Sequence, residues 1–298
     1  MYVEELTSKA EAKSNMSKTK AYFQLLKFRL SATVAFSSAI GFLLGRPNAR
    51  WVDTLMVMLG GLLVTGAANI INQVLEKDLD IMMKRTAKRP LPQGVLSVQE
   101  AVTFCVVLCI AGVTLLGLYF NWLAAGISFL SLLLYGFFYT PLKRISPVCV
   151  FVGAIPGGLP PLIGWVAGTG YLGVEAWVLF GIQFIWQFPH FWAIAWVLDD
   201  DYKKAGFKML PMGGGKNLKT AIQIMIYTLL LIPLGLLPLQ FGMAGKTSAF
   251  IAVVCGVLFL IQTVYLMHTC SKRAAMNIMF GSFLYLPIVQ IAFVLDRI

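Results

Sequence analysis

Asn72, Glu76 and Asp80 recur at intervals of four along Asn69-Ile70-Ile71-Asn72-Gln73-Val74-Leu75-Glu76-Lys77-Asp78-Leu79-Asp80. At 100° per residue a helix brings these three within about 80° of one another, while Asp78 points roughly 160° from Asp80. An amide oxygen and two carboxylates on one helical face are hard donors, suited to a Mg²⁺ that shares its coordination with substrate phosphates. The charge then reverses, with Lys84, Arg85, Lys88 and Arg89 ahead of Pro90. Arginine grips phosphate oxygens bidentately, so acids followed closely by bases suit a metal–diphosphate complex. A solvated helix end is the plain alternative, but acids at a membrane boundary are rare and usually functional.

Two further stretches carry polar groups. Trp186-Gln187-Phe188-Pro189-His190-Phe191-Trp192 leads into Asp199-Asp200-Asp201-Tyr202-Lys203-Lys204. Three successive Asp at a helix end form either a second metal face or a polar stop. His190, one of only two histidines, lies about 16 Å of helix before Asp201. It is either a hydrogen bond between helices or a contact with a substrate or an iron; His268 reads as ordinary. Tyr139, Lys143 and Arg144 close the stretch Tyr135–Arg144. Beyond it, Gly153 to Gly164 with Pro156, Pro160 and Pro161 must break or kink a helix, which is tolerated where the freed backbone is buried or lines a cavity.

The elements that position these residues are membrane helices. Only 12% of the 298 residues are charged and 58% are hydrophobic, with a mean hydropathy of +0.79. A soluble domain carries about 25% charge, so a cytosolic enzyme and a disordered chain are excluded. The five cysteines form no CxxC pair, which excludes a disulfide or metal framework. Uncharged runs fall at 30–45, 54–75, 101–142, 145–174, 176–198, 220–245, 247–271 and 274–295. A span needs about 20 apolar residues, so 101–142 holds two, divided near Asn121, and the short first run extends back through Phe28. The expectation is an all-α, polytopic bundle of nine transmembrane helices over 25–298, after a hydrophilic tail of 1–24.

Orientation follows from the cations. With the N-terminus inside, twenty of the twenty-four Lys and Arg fall on inner segments, leaving Arg46, Arg50, Lys246 and Arg297 outside. That asymmetry is the positive-inside pattern. It accounts for the net charge of +11 without nucleic acid, and it puts both loaded loops, 76–97 and 199–219, on the inner face. Glu4, Glu5 and Glu11 argue against a transit peptide, and no apolar run follows them as in a signal peptide. The expected location is a prokaryotic inner membrane, with the active site on its cytoplasmic face.

The pattern resembles the UbiA family of membrane prenyltransferases. That family's first motif is an Asn, an acid four residues on and an Asp four further, here Asn72, Glu76 and Asp80. Its continuation is matched by Asp78, Asp80, Met83, Arg85, Thr86, Arg89, Pro90, Leu91 and Pro92. Trp186 to Phe191, Asp201-Tyr202, Ala205-Gly206 and Met209-Leu210-Pro211 resemble the haem-modifying branch, as do Tyr139-Thr140, Leu142-Lys143-Arg144 and Pro160 to Trp165. The likeness covers roughly residues 25–295. It departs at Glu76, where the family commonly has Asp, and at the second acidic motif DxxxD. Taking Asp201 as that motif's last member puts its first on Val197, with Asp200 as the available substitute.

The resemblance implies a UbiA-type bundle, farnesyl diphosphate as donor, haem b as acceptor and Mg²⁺ as cofactor. Farnesyl transfer to the 2-vinyl group would give haem O. It assigns Asn72, Glu76 and Asp80 to the metal and, with Asp201, to catalysis. Substrate binding falls to Arg85, Arg89, Tyr139, Lys143, Arg144, His190, Tyr202 and Lys204. Implied partners are the lipid bilayer and a haem A synthase or terminal-oxidase assembly. The alternatives are a UbiA enzyme acting on an aromatic quinone precursor, or a transporter, which should show internal repeats and polar groups at the midplane.

Overall fold

The computed structural model describes residues 16–211 and 215–298; Lys9, Lys13, Glu4, Glu5 and Glu11, which entered the charge reading, lie outside them. Nine helices among the described residues are long and apolar enough to cross a membrane. They are α1 (Phe28–Gly45), α2 (Trp51–Leu75), α3 (Val98–Tyr119), α4 (Trp122–Leu142), α5 (Cys149–Thr169), α6 (Val174–Lys204), α7 (Leu218–Gln240), α8 (Lys246–Thr269) and α9 (Lys272–Leu295). The long apolar run divides at Asn121, whose side chain accepts from Ala124 N–H at 2.9 Å and donates to the Val166 carbonyl at 2.9 Å. One side-chain amide thus starts α4 and ties it to α5.

α5 is the most enclosed span and packs against α1, α4 and α6. A Cβ on Gly41 would fall on the carbonyl oxygen of Pro161, and one on Gly164 on that of Ser38. Without Cβ atoms at these two points, α1 and α5 meet backbone to backbone, as small residues permit inside membranes. The remaining spans pair as α1 with α2, α2 with α3, α6 with α7 and α9, and α8 with both α7 and α9.

The expected break in α5 is absent: the helix runs unbroken from Cys149 to Thr169 across Pro156, Pro160 and Pro161. Pro160 and Pro161 have no N–H, so the carbonyls four residues earlier, of Pro156 and Gly157, lose their helical donors. Ser131 Oγ of α4 donates to the Pro156 carbonyl at 3.2 Å, and Gln183 Nε2 of α6 to that of Gly157 at 2.8 Å. Gln290 Nε2 donates to Gln183 Oε1 at 2.8 Å, and Ser37 Oγ to Gln290 Oε1 at 3.2 Å. Neighbouring side chains therefore replace what Pro160 and Pro161 remove, and the same chain of bonds joins α1, α5, α6 and α9.

Two local features shape the end of the bundle that carries the loaded loops. Residues Leu134–Tyr139 of α4 form a π-helical segment, and Thr140 Oγ1 bonds the Tyr135 carbonyl at 2.9 Å. The stretch from 81 to 97 is a series of turns that buries Met83, Leu91 and Leu96 and ends in a capping box between Ser97 and Glu100. Before α1, a short helix, Lys18–Leu25, buries Ala21 and Leu25 and pairs Lys18 with Glu100 at 2.6 Å.

Candidate active site at one end of the bundle

α2 ends at Leu75, and Glu76 leaves helical geometry at φ −97°, ψ 7° before a further turn, Lys77–Asp80. The interruption does not change the face. Glu76 N–H still bonds the Asn72 carbonyl at 3.0 Å, and Asp80 N–H the Glu76 carbonyl at 2.8 Å. Asn72, Glu76 and Asp80 are all buried, whereas Asp78 is exposed, as the four-residue spacing requires.

Each buried acid faces a base from elsewhere in the chain. Glu76 Oε1 accepts from Lys143 Nζ at 2.7 Å, with both side chains under 10% exposed. Asp80 Oδ2 accepts from Arg89 at 2.6 Å. Asn72 Oδ1 accepts from Lys27 Nζ at 3.1 Å, and its Nδ2 donates to Thr140 Oγ1 at 3.3 Å. Lys27 stands at φ 47°, a left-handed conformation unusual for a side chain with a Cβ. Thr86 Oγ1 donates to the Asp80 carbonyl at 2.9 Å, holding the acid and the basic turn together.

The electrostatics follow from this crowding. Burial raises the Asp80 carboxyl above its ordinary range, while Arg89 pulls it down. Burial and the charges of Arg89 and Lys143 lower the Lys27 ammonium well below the usual lysine range. Lys143 Nζ also lies 4.5 Å from the Tyr139 ring centroid and 5.6 Å from that of Phe207, both cation–π distances. Tyr135 lies beside Tyr139 with ring centroids 5.2 Å apart and planes tilted by 40°.

The other sequence candidates divide. Arg85 is exposed, and Tyr202 lies within electrostatic reach of Arg85, Arg89 and Glu76, so this tyrosine joins the cluster. Arg144 is exposed at the end of α4. Asp201 pairs with Lys204 at 3.1 Å, Asp199 with Lys203 at 2.8 Å, and Asp200 with Lys216 at 3.1 Å. These acids are held by their own lysines, and Asp200 is mostly exposed. Among the described residues no group of three or more His, Cys, Asp or Glu is arranged to hold a metal. His190 is buried between α6 and α9, bonded to Ser282 and apart from the acids.

Lys27, Tyr135 and Thr140 join the site without having been assigned a role there, although Thr140 belongs to the matched Tyr139-Thr140 pair. Lys27 read as one more inner cation, and Thr140 carries no ionisable group. Tyr135, four residues before Tyr139, was the one available signal.

Asn72, Glu76 and Asp80 fit a divalent cation by chemistry and by one unmet need. All offer hard oxygens, and Asp80 Oδ1 is enclosed with no hydrogen-bond partner among the described residues. The lysine and arginine that hold the remaining oxygens supply the positive charge these acids require.

The family model for the UbiA prenyltransferase family matches residues 34–286. A protoheme IX farnesyltransferase of Cytophaga hutchinsonii is 56% identical over 283 residues, 95% of this chain and 99% of that relative. The solved structure of a digeranylgeranylglyceryl phosphate synthase aligns with a TM-score of 0.78 at 24% identity, over 94% of this chain and 99% of the other. A UbiA homolog from Archaeoglobus fulgidus bound to GPP and Mg²⁺ aligns at 0.64 and 19% identity, over 92% and 99%.

Proposed function

The chain belongs to the UbiA prenyltransferase family, and from that membership we propose that it transfers the farnesyl group of farnesyl diphosphate to the 2-vinyl group of protoheme IX (haem b), giving haem O. The observation that carries the diphosphate half is the buried face of Asn72, Glu76 and Asp80 with Lys143 and Arg89 bonded to it. The acceptor half rests on the protoheme IX farnesyltransferases that match nearly the whole chain.

Mg²⁺ would be held by Asn72, Glu76 and Asp80 and would supply Lewis-acid neutralisation of the diphosphate; the A. fulgidus homolog binds GPP with this ion. The remaining work falls to side chains. Arg89 and Lys143, freed from their carboxylates, take the diphosphate oxygens, with Arg85 and Lys204 completing the cationic side. Tyr202 orients Arg85, Arg144 adds positive charge just beyond the end of α4, and Asp201 keeps Lys204 in place. Negative charge grows on the leaving diphosphate as the C1–O bond breaks, and fixed cations stabilise that charge as it develops.

C1 of the farnesyl chain becomes allylic-cation-like. The face of Tyr139, which holds the Lys143 ammonium here, is an aromatic surface able to shield it. The terminal carbon of the vinyl group bonds to C1, and the cation left on its inner carbon takes water and loses a proton. His190 serves the acceptor. On this reading the N-terminus and the site face the cytoplasm of a prokaryotic inner membrane, within reach of a haem A synthase or terminal-oxidase assembly.

The test offers membranes containing the protein farnesyl diphosphate with either haem b or a prenylatable aromatic acid, and identifies products by mass. A hydroxyethylfarnesyl haem is expected from haem b alone. A prenylated aromatic acid with unchanged haem b would keep the diphosphate chemistry and replace the acceptor.

A further inference from the structure

His190 sits on α6 about 24 Å of helix from Val174 and about 21 Å from Lys204, deep within the span. An ionisable side chain at such depth is costly and normally functional. Its Nδ1 lies 2.7 Å from Ser282 Oγ of α9, and that hydroxyl donates to the Met279 carbonyl at 2.6 Å. A serine hydroxyl has one hydrogen and two lone pairs. The hydrogen is committed to Met279, so the second bond runs from His190 Nδ1–H to Ser282 Oγ. No acid pairs with His190 among the described residues, so the neutral ring's one proton is on Nδ1 and Nε2 keeps its lone pair.

That Nε2 has no hydrogen-bond partner among the described residues and is not one of their fully enclosed polar atoms, so it keeps some accessible surface although the residue as a whole is 7% exposed. The ring's plane is fixed as well. Trp186 stacks on it with centroids 4.5 Å apart and planes 16° apart, and Trp186 Nε1 donates to the Ser282 carbonyl at 3.0 Å. Phe191 and Phe283 press edge-on at 5.3 and 4.9 Å. A bond that merely joins two helices needs Nδ1 alone. It gives no reason for an imidazole locked in one tautomer with its other nitrogen left open.

We infer that His190 Nε2 is an axial ligand for the haem iron and that Ser282 is the residue that positions it, a deepening that rests on the haem-acceptor reading. A metal-bound histidine donates its other N–H to an oxygen, which fixes tautomer and ring orientation; Ser282 Oγ fills that role. Ligation uses the Nε2 lone pair and moves no proton. It sets the porphyrin plane against the farnesyl site and selects iron-loaded over iron-free porphyrin.

The test titrates ferric haem b and iron-free protoporphyrin IX into the full chain in nanodiscs, reading the Soret spectrum, with farnesyl diphosphate binding as the control for folding. Wild type is expected to bind haem b with a nitrogen-ligated spectrum. His190→Ala loses that spectrum and regains it with added imidazole, while exposed His268→Ala does not change it. Ser282→Ala weakens haem b binding about tenfold, as losing a ligand's hydrogen-bond partner does, and Ser282→Thr restores it. Iron-free protoporphyrin binds all variants alike, which together with farnesyl diphosphate binding shows that a lost haem spectrum in His190→Ala is not a loss of folding. Haem b bound by His190→Ala with the wild-type spectrum would overturn the ligation and leave the acceptor standing. Failure of folded wild type to bind haem b while binding farnesyl diphosphate would remove both.

Discussion

Glu76 and Lys143 are each nearly sealed from solvent and have each other as charged partner, so removing one leaves the other's charge buried alone. Such a loss costs about 3–5 kcal/mol, whereas replacing both charges with neutral groups of similar size is often close to neutral. Lys143→Met is therefore expected to lower thermal stability sharply, and the double variant Glu76→Gln with Lys143→Met to recover most of it. Neither should transfer farnesyl, because the double variant lacks both a metal donor and a diphosphate cation. Thermal unfolding followed by intrinsic fluorescence, beside a turnover assay, checks this; equal stability of the two variants would contradict the pairing. The four-residue spacing made Asn72, Glu76 and Asp80 legible because a helix turns that spacing into one face. Lys143 as Glu76's partner was not legible, since 67 positions separate them and only tertiary packing closes that distance. Lys27 was hidden for a different reason: amid many inner cations, nothing in its type marked it out.

α5 shows how packing decides between the outcomes that local rules leave open for an element. Three prolines and several glycines call for a break or a kink when the helix is considered alone. In the bundle, Ser131 and Gln183 satisfy the freed carbonyls and the glycines become the contact surface for α1. Gln183→Leu should cost about 1–3 kcal/mol, the penalty for stranding a buried polar group, with the loss read as a lower midpoint in thermal unfolding. Gly41→Ala should be worse, because its methyl meets the Pro161 backbone rather than a side chain that can turn away. A sharp fall in the monodisperse fraction on size exclusion is the expected sign, and a wild-type profile would contradict the close approach. The spans themselves were readable because the apolar runs are long and the charges between them few. The π-helical segment of α4 was not, since it depends on Thr140 reaching back to the Tyr135 carbonyl rather than on any hydrophobic period.

Across the whole molecule, the loaded segment after α6 meets the turn after α4 that carries Lys143, the partner of Glu76. Lys208 N–H bonds the Lys143 carbonyl at 2.7 Å, joining the turn after α4 to the segment after α6. The opposite ends are closed by a different set: Arg297 donates to the Leu43 and Pro47 carbonyls, and Asp53 accepts from Arg50 and Tyr119. With nine spans and this charge asymmetry, a reporter fused to the N-terminus should be active only in the cytoplasm and one fused to the C-terminus only outside it. Reversed signals would turn the site to the other face. Farnesyl transfer to haem by the face that carries Asp80 should depend on the metal. It is tested most directly by incubating purified protein in bilayers with haem b, farnesyl diphosphate and Mg²⁺, with Asp80→Ala and chelator arms alongside. Hydroxyethylfarnesyl haem is expected from wild type alone, with Asp80→Ala folded but inactive and chelator abolishing turnover reversibly. Undiminished product from Asp80→Ala would contradict the account.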